Sequence, residues 1–284
     1  MRLAGVICLS TGAVLEVAMG PQAGKGNGEL GLMRQIEKVF RAGDVFLADA
    51  LYCNYFLLAR LQKLGVDVLL EQNGARITDF RRGERLGARD HLMRWEKPKA
   101  RPQWMSPEQY RAYPGTLTVR EVKIGGRVLV TTMLHPREAS KRELGKLYQR
   151  RWNVELHFRN IKTTLGMDVL SCKSPPMCEK ELWIYLLAYN MIRLLMAHAA
   201  LQLSFKHTVQ LWSEWTTLGL AGSSTTHRDE LFHAIAQQTV GNRPGRLEPR
   251  ARKRRPKPYQ WLKVPRRKAR QQVRLYGYLP NSAS

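Results

Sequence analysis

Two runs rich in alternating apolar residues open the chain. Residues 2–10 and 13–19 read as β-strands joined at Ser10-Thr11-Gly12, and a Gly-rich loop from Gly20 to Gly28 follows. The period then changes: Leu32, Ile36 and Phe40 recur every four residues and predict a helix over about 29–41. GDVFLAD, residues 43–49, is a short continuous apolar run ending in an acid, the pattern of a strand buried on both faces, with Asp49 at its C-terminal end. Helical spacing returns over 55–64 and closes at Gly65, and VDVLLEQ at 66–72 predicts another strand. The order β-β-α-β-α-β implies a mixed α/β layer.

Over 73–134 helical periodicity disappears, Gly, Arg and Pro become frequent, and TLTVREVKIGGRVLVTTML at 116–134 reads as a hairpin turning at Gly125-Gly126. This stretch is a β-rich insertion. Ser174-Pro175-Pro176 breaks the chain, Glu179 to about Leu203 reads as a strongly apolar helix, and further helix is expected near 206–217 and 227–238. The expected organisation is a core over 1–72 and 135–174, the insertion at 73–134, a helical region at 175–241 and a basic, disordered tail at 242–284.

The segment LYQRRWNVELHFRNIKTTLG, residues 147–166, carries the candidate chemistry. Tyr148, Arg151, Glu155 and Lys162 stand at offsets of 0, 3, 7 and 14. On a helix turning about 100° per residue they share a stripe roughly 60° wide. Beside it Leu147, Val154, Phe158, Ile161 and Leu165 make an apolar stripe that can hold the helix on a core. The plainer alternative is an amphipathic surface helix whose Glu155 pairs with Arg151 or Arg159 at four-residue spacing.

The Tyr148, Arg151, Glu155, Lys162 spacing, the Arg151-Trp152 pair, Phe158 and Arg159 after the Glu, and the later LLAYNMIRLLM helix at 186–196 resemble the signature of bacterial DDE transposases of the insertion-sequence-four family. The resemblance implies an RNase H-like catalytic core with a β-rich insertion and C-terminal helices, and Mg²⁺, or Mn²⁺ in its place, held by carboxylates. It also implies cutting of DNA at transposon ends with transfer of the 3′-OH to target DNA. By position Asp49 matches the second acid and Glu155 the third, 106 residues apart. Read alone, Asp49 could equally cap the next element. The resemblance gives Tyr148, Arg151 and Lys162 contacts to transposon-end DNA. Arg159, close to the same stripe, is an addition.

In the resembled family the first acid sits on a strand just before the opening hairpin. Here no Asp precedes Asp44 and no Glu precedes Glu16. Glu16 belongs to the second hairpin strand and Asp44 begins the strand that Asp49 ends, so neither replaces it. The expectation is a core whose first strand is missing, and weak or no catalysis by this polypeptide alone. The alternative function is a non-catalytic DNA-binding remnant of a transposase.

Composition sharpens the choice of partner. Lys and Arg number 47 against 23 Asp and Glu, a net charge of +24, which calls for a polyanion. From Arg243 to Arg274 there are fourteen basic residues and one acid, Glu248, so thirteen of those charges lie in the tail and eleven remain elsewhere. The tail's Tyr259, Trp261, Tyr276 and Tyr278 could stack on bases while its cations hold phosphates. A solvated tail with no selected role is equally open. Trp95, Trp104 and Trp152 fit packing better than base stacking. Cys8, Cys53, Cys172 and Cys178 follow neither a metal-ligand nor a disulfide spacing, which suits free thiols in a reducing compartment. Thr11-Gly12 and Glu16 interrupt the opening apolar run, against a signal peptide, and no run of about twenty apolar residues suggests a membrane span. The expected setting is the cytoplasm, at the nucleoid, with DNA and a possible homodimer as partners.

Overall fold

The computed structural model describes residues 1–24, 28–199, 203–220, 224–240 and 264–276. Strand β1 (Arg2–Ile7) pairs antiparallel with β2 (Val14–Gly20), Arg2 opposite Gly20 and Val6 opposite Glu16. The reversal needs Gly12, whose φ of 75° strains any residue with a Cβ and whose N–H donates to Cys8 O at 2.7 Å. Helix α1 (Glu29–Ile36) runs on as a single 3₁₀ turn to Val39 and buries Leu32, Met33 and Ile36.

Next come β3 (Val45–Ala48), α2 (Tyr55–Lys63) and β4 (Asp67–Glu71), with β3 and β4 parallel. Asn54 caps α2, its Oδ1 accepting the Leu57 N–H at 3.0 Å. The expected order of elements is therefore present. One expectation changes: β3 is not buried on both faces. Phe46 and Ala48 are buried on one face, while on the other Val45 is exposed and Leu47 is half-buried.

The strands after residue 73 extend that same sheet. These are β5 (Glu84–Gly87), β6 (Asp90–Glu96), β7 (Thr116–Ile124) and β8 (Arg127–Thr131), with a short helix α3 (Pro107–Ala112) between β6 and β7. The order is β3-β4-β8-β7-β6-β5, antiparallel except for β3 and β4, with Leu70 opposite Val130. Gly125 and Gly126 both take positive φ at the β7–β8 turn, as the sequence predicts. The β1–β2 hairpin forms its own two-stranded sheet, and among the described residues no ladder joins it to the six strands. Packing joins them: Ala4, Val6 and Ala18 share one core with Leu32, Phe46, Val68 and Val130.

A buried ion pair ties the far strands to the helices beyond them. Arg120 on β7, fully buried, donates Nε to Asp90 Oδ1 at 2.8 Å and an Nη2 N–H to Asp90 Oδ2 at 2.6 Å. Its remaining Nη1 donates to Ala139 O at 2.7 Å, one residue before the cap of helix α4 (Lys141–Gln149). Ser140 and Glu143 close that cap reciprocally.

The remaining helices are α5 (Asn153–Arg159), α6 (Pro175–Ala199), α7 (Phe205–Thr217), α8 (Thr225–Ala236) and α9 (Arg266–Tyr276). Helix α6 starts at Pro175, four residues before the expected Glu179, since proline is tolerated in a first turn, where N–H groups have no intrahelical partner. It packs Leu182, Leu186, Tyr189 and Met196 with Leu231 and Ile235 of α8 and Val17 of β2 in a second core. Against the expectation of no spanning run, α6 is long and apolar enough, by length and composition, to cross a membrane. Of the tail expected to be disordered, residues 264–276 are described and contain α9, where Ala269 is buried. The other tail residues from 242 lie outside the described residues. The four cysteines are free thiols.

Candidate active site

The segment that periodicity predicts as one helix is three pieces of different pitch. Helix α4 ends at Gln149, Arg150–Trp152 form a 3₁₀ turn, α5 covers Asn153–Arg159, and Asn160–Thr164 form a π-helical turn in which the Leu165 N–H reaches Asn160 O at 3.1 Å. A 3₁₀ turn advances about 120° per residue instead of 100°, so three such residues rotate the next helix by roughly 60°. The four side chains differ in exposure. Tyr148 turns inward and is buried, Arg151 is half-buried, and Glu155, Arg159 and Lys162 are exposed.

Tyr148 packs with Leu69, Val122, Leu129 and Leu144 in a third core under the sheet. Its hydroxyl donates to Glu71 Oε2 at 3.3 Å, and Arg127 Nη1 donates to the same oxygen at 3.0 Å. Burial, aided by the neighbouring Glu71 charge and partly opposed by Arg151, raises the pKa of the Tyr148 hydroxyl above its ordinary value. The hydroxyl expected to meet DNA thus has an internal partner. Its ring lies under the Arg151 guanidinium at 5.6 Å, and Arg151 also covers Trp152 at 4.8 Å. Arg151 Nε is buried and has no hydrogen-bond partner among the described residues.

Glu155 sits in the first turn of α5. Arg151 and Arg159 are each four residues away, yet among the described residues Glu155 makes no hydrogen bond or ion pair. The plainer reading of a paired surface helix is not what forms. Lys162 extends over the Phe158 ring at 6.0 Å. Asp49 is exposed at the first position after β3, and its Oδ1 accepts the Leu51 N–H at 2.9 Å. It does cap the next turn, as its plainer reading expects, and Oδ2 takes no part in that cap. No hydrogen bond or ion pair joins Asp49 to Glu155 among the described residues, and no cluster of three or more His, Cys, Asp or Glu that could hold a metal ion occurs there.

The three tryptophans divide. Trp95 is buried and donates Nε1 to Glu121 Oε1 at 2.7 Å. Trp104 and Trp152 are both 43% exposed and carry guanidinium groups on their faces, Arg34 at 4.2 Å and Arg127 at 5.9 Å.

Periodicity does not show what holds α5 in place. His157, two residues after Glu155, is buried, and its Nδ1 lies 2.9 Å from the Tyr189 hydroxyl of α6. That hydroxyl donates to Gly12 O at 2.8 Å, so Nδ1 carries the hydrogen towards the tyrosine oxygen. Burial, with the positive charge of Arg193, lowers the pKa of His157 to about 4, and burial pushes Tyr189 up to about 12. Asn190 accepts the Val14 N–H and donates to Val14 O, both at 2.8 Å, and Arg193 Nε donates to Thr11 O at 2.9 Å. The signal is present in the sequence: Tyr189, Asn190 and Arg193 are polar interruptions of an apolar helix. Glu71 gives a similar cue, since like Asp49 it is an acid at the end of an apolar strand.

Comparison with known proteins covers the same stretch. A family model described as the transposase DDE domain matches residues 1–191, which include Asp49, Tyr148, Arg151, Glu155 and Lys162. The chain is 31% identical over 210 residues to the transposase InsG for insertion sequence element IS4 of Escherichia coli strain K12, over 66% of this chain and 45% of that protein. It is 32% identical over 71 residues to the transposase for insertion sequence element IS421 of Escherichia coli, over 25% of this chain and 19% of that protein. The chain thus spans about half the length, or less, of these curated relatives. With the domain model matching about two thirds of the chain and the signature residues inside the match, the chain belongs to the DDE transposases of the insertion-sequence-four family.

Proposed function

We propose that this chain provides the catalytic portion of a transposase, an RNase H-like core that cuts and joins transposon-end DNA. The observation that carries the reading is Glu155: exposed, in the first turn of α5, and unpaired among the described residues although Arg151 and Arg159 lie one turn to either side. An acid kept free among cations is one reserved for another charge.

DDE transposases generally use divalent metal ions. The donor chemistry here suits Mg²⁺, a hard cation that takes one or two carboxylates and fills its shell with water and phosphate oxygens. Asp49 and Glu155 would hold it, with Mn²⁺ able to substitute. When bound, the ion lowers the pKa of water or a 3′-OH and neutralises the departing oxygen. Arg151, Lys162 and Arg159 bind DNA phosphates through their positive charge. Tyr148 acts beneath Arg151, fixing it from below, and not as a phosphate donor. The core and insertion divide at 73 and 134, and the six-stranded sheet crosses that division.

A second reading has an observation of its own. Among the described residues no group of three or more His, Cys, Asp or Glu that could hold a metal ion occurs, which favours a chain that binds DNA without cutting it. One experiment separates the two. The purified chain is incubated with a duplex carrying the ends of its own element, in Mg²⁺, in Mn²⁺ and in EDTA. Metal-dependent nicking that Asp49→Asn abolishes supports the catalytic reading. DNA binding that falls steeply with salt, ignores metal and Asp49→Asn, and comes with no nicking overturns it in favour of the binding protein.

A further inference from the structure

Two half-buried free thiols, Cys172 and Cys178, meet where the chain enters α6. The Cys178 S–H donates to the Cys172 carbonyl oxygen at 2.9 Å. A carbonyl oxygen lies about 2.4 Å from its own Cα, so Cys178 Sγ is no more than about 5.3 Å from the Cα of Cys172. From there a rotation of the Cys172 side chain and a small adjustment bring the sulfurs to the bonding distance of about 2.05 Å. The segment between them is set in advance. Pro175 and Pro176 each fix φ, and the Met177 and Cys178 N–H groups both reach Ser174 O, at 3.1 and 2.9 Å, so closing this short loop orders little further chain. The two thiols differ in their surroundings. Glu181 accepts the Ser171 and Cys172 N–H groups at 2.9 Å each, and its further hydrogen bond to the Cys172 thiol holds that thiol above its ordinary pKa. The Cys178 S–H rests on a neutral carbonyl and meets no such opposition to losing its proton.

We propose that Cys172 and Cys178 form an oxidation site, closed to a disulfide by hydrogen peroxide, that straps the connection leaving the π turn to the first turn of α6. In the first step Cys178 Sγ attacks one peroxide oxygen and breaks the O–O bond; the thiol proton joins the departing hydroxide as water, and Cys178 becomes a sulfenic acid. In the second step Cys172 Sγ attacks the Cys178 sulfur and breaks its S–O bond. The Cys172 proton leaves along the hydrogen bond to Glu181 and ends on the displaced hydroxide, a second water. Two thiols thus lose two hydrogens and two electrons, and one peroxide is reduced to two waters. A dithiol or a second thiol reverses the closure by exchange, and a reducing compartment admits such transient disulfides. The strap acts on a packed connection: Leu165 and Leu170 lie against the core that Met167 forms with Leu182 and Leu186 of α6, and Lys162 stands on the π turn just before it. The closure involves neither metal nor DNA and stands independently of the chemistry at Glu155.

The test treats the full, reduced chain with a small excess of hydrogen peroxide, blocks the remaining thiols by alkylation and digests it with trypsin. Because Lys173 lies between the two cysteines, the link appears in mass spectrometry as peptide 163–173 joined to peptide 174–180, and dithiothreitol parts them. The expected result is that this link is the main product, that it lies within one chain, and that Cys8→Ser leaves it unchanged. Amide exchange over 163–180 should slow at least threefold in the oxidised chain and recover on reduction, since a cross-link restrains the open state. Single variants fix the order of the steps. With Cys172→Ser, dimedone should trap a sulfenic acid at Cys178; with Cys178→Ser, trapping at Cys172 should be at least tenfold less. Peroxide that links Cys8 or separate chains in place of 172–178 would overturn the site. A 172–178 link that leaves amide exchange unchanged would overturn the strap, and equal trapping in the two variants would overturn the order.

Discussion

The two halves of the segment around Glu155 are held by different parts of the molecule. Upstream, α4 is fastened to the sheet: Arg120 of β7 holds Ala139 O, and Tyr148 lies in the sheet core with its hydroxyl on Glu71 of β4. Downstream, α5 and the π turn are fastened to helices and the hairpin: His157 meets Tyr189, and Ile161 packs with Leu182 and Leu186. The 3₁₀ turn at Arg150–Trp152 is the seam between the two attachments. Tyr148 faces a core while Glu155 faces outward, and the 3₁₀ turn lies between them.

The largest test strikes the upstream attachment. Arg120→Met strands the buried Asp90 carboxylate and leaves Ala139 O unpaired, and loss of one partner of a buried pair costs about 3–5 kcal/mol. Chemical denaturation should report a loss of that size. A loss below about 1 kcal/mol would mean that α4 is held by its apolar face alone.

The downstream attachment is tested next. Tyr189→Phe removes the hydroxyl that serves both Gly12 O and His157, at a cost of about 1–3 kcal/mol. His157 adds a pH signature. Its folded pKa of about 4 lies below its ordinary 6.5, so the unfolded chain takes the proton first. This contribution is complete above about pH 6.5 and is lost as the pH falls toward 4. The melting temperature should drop by several degrees across that window. His157→Phe should flatten the drop relative to wild type; an unchanged slope would place the titration elsewhere.

The smallest effects lie at the seam. Tyr148→Phe gives up a 3.3 Å hydrogen bond and should cost about 1 kcal/mol or less, with little change in affinity for duplex DNA. Arg151→Ala should do the reverse, weakening DNA binding severalfold and reducing its salt dependence, while stability changes little. If Tyr148→Phe weakens binding as much as Arg151→Ala does, the hydroxyl leaves Glu71 for DNA and the upstream half is less fixed than described.

Much of this is legible in the sequence. Strand and helix order over the first 72 residues, the Gly125-Gly126 hairpin and helices α6 to α8 follow from periodicity and turn residues, which act locally. What periodicity does not carry is pitch. The 3₁₀ and π turns arise because two cores compete for one segment, and the residues that form those cores are distant in sequence. The joining of β8 to β4, and the place of β3 at the end of the six-stranded order, depend on pairing that no local window contains. Glu155 stands out by its spacing to Arg151 and Lys162, whereas its supports at Tyr189 and Gly12 become visible only when α6 and the hairpin are brought together.

The most direct test of the account is cleavage by Glu155→Gln. In a duplex-end assay with Mg²⁺, the account predicts that this substitution lowers nicking by on the order of 10²-fold or more, the scale for loss of one preorganised charged group. Duplex affinity and melting temperature should stay at wild-type values, because the carboxylate has no partner among the described residues. Nicking that persists at the wild-type rate in Glu155→Gln would contradict the assignment of Glu155.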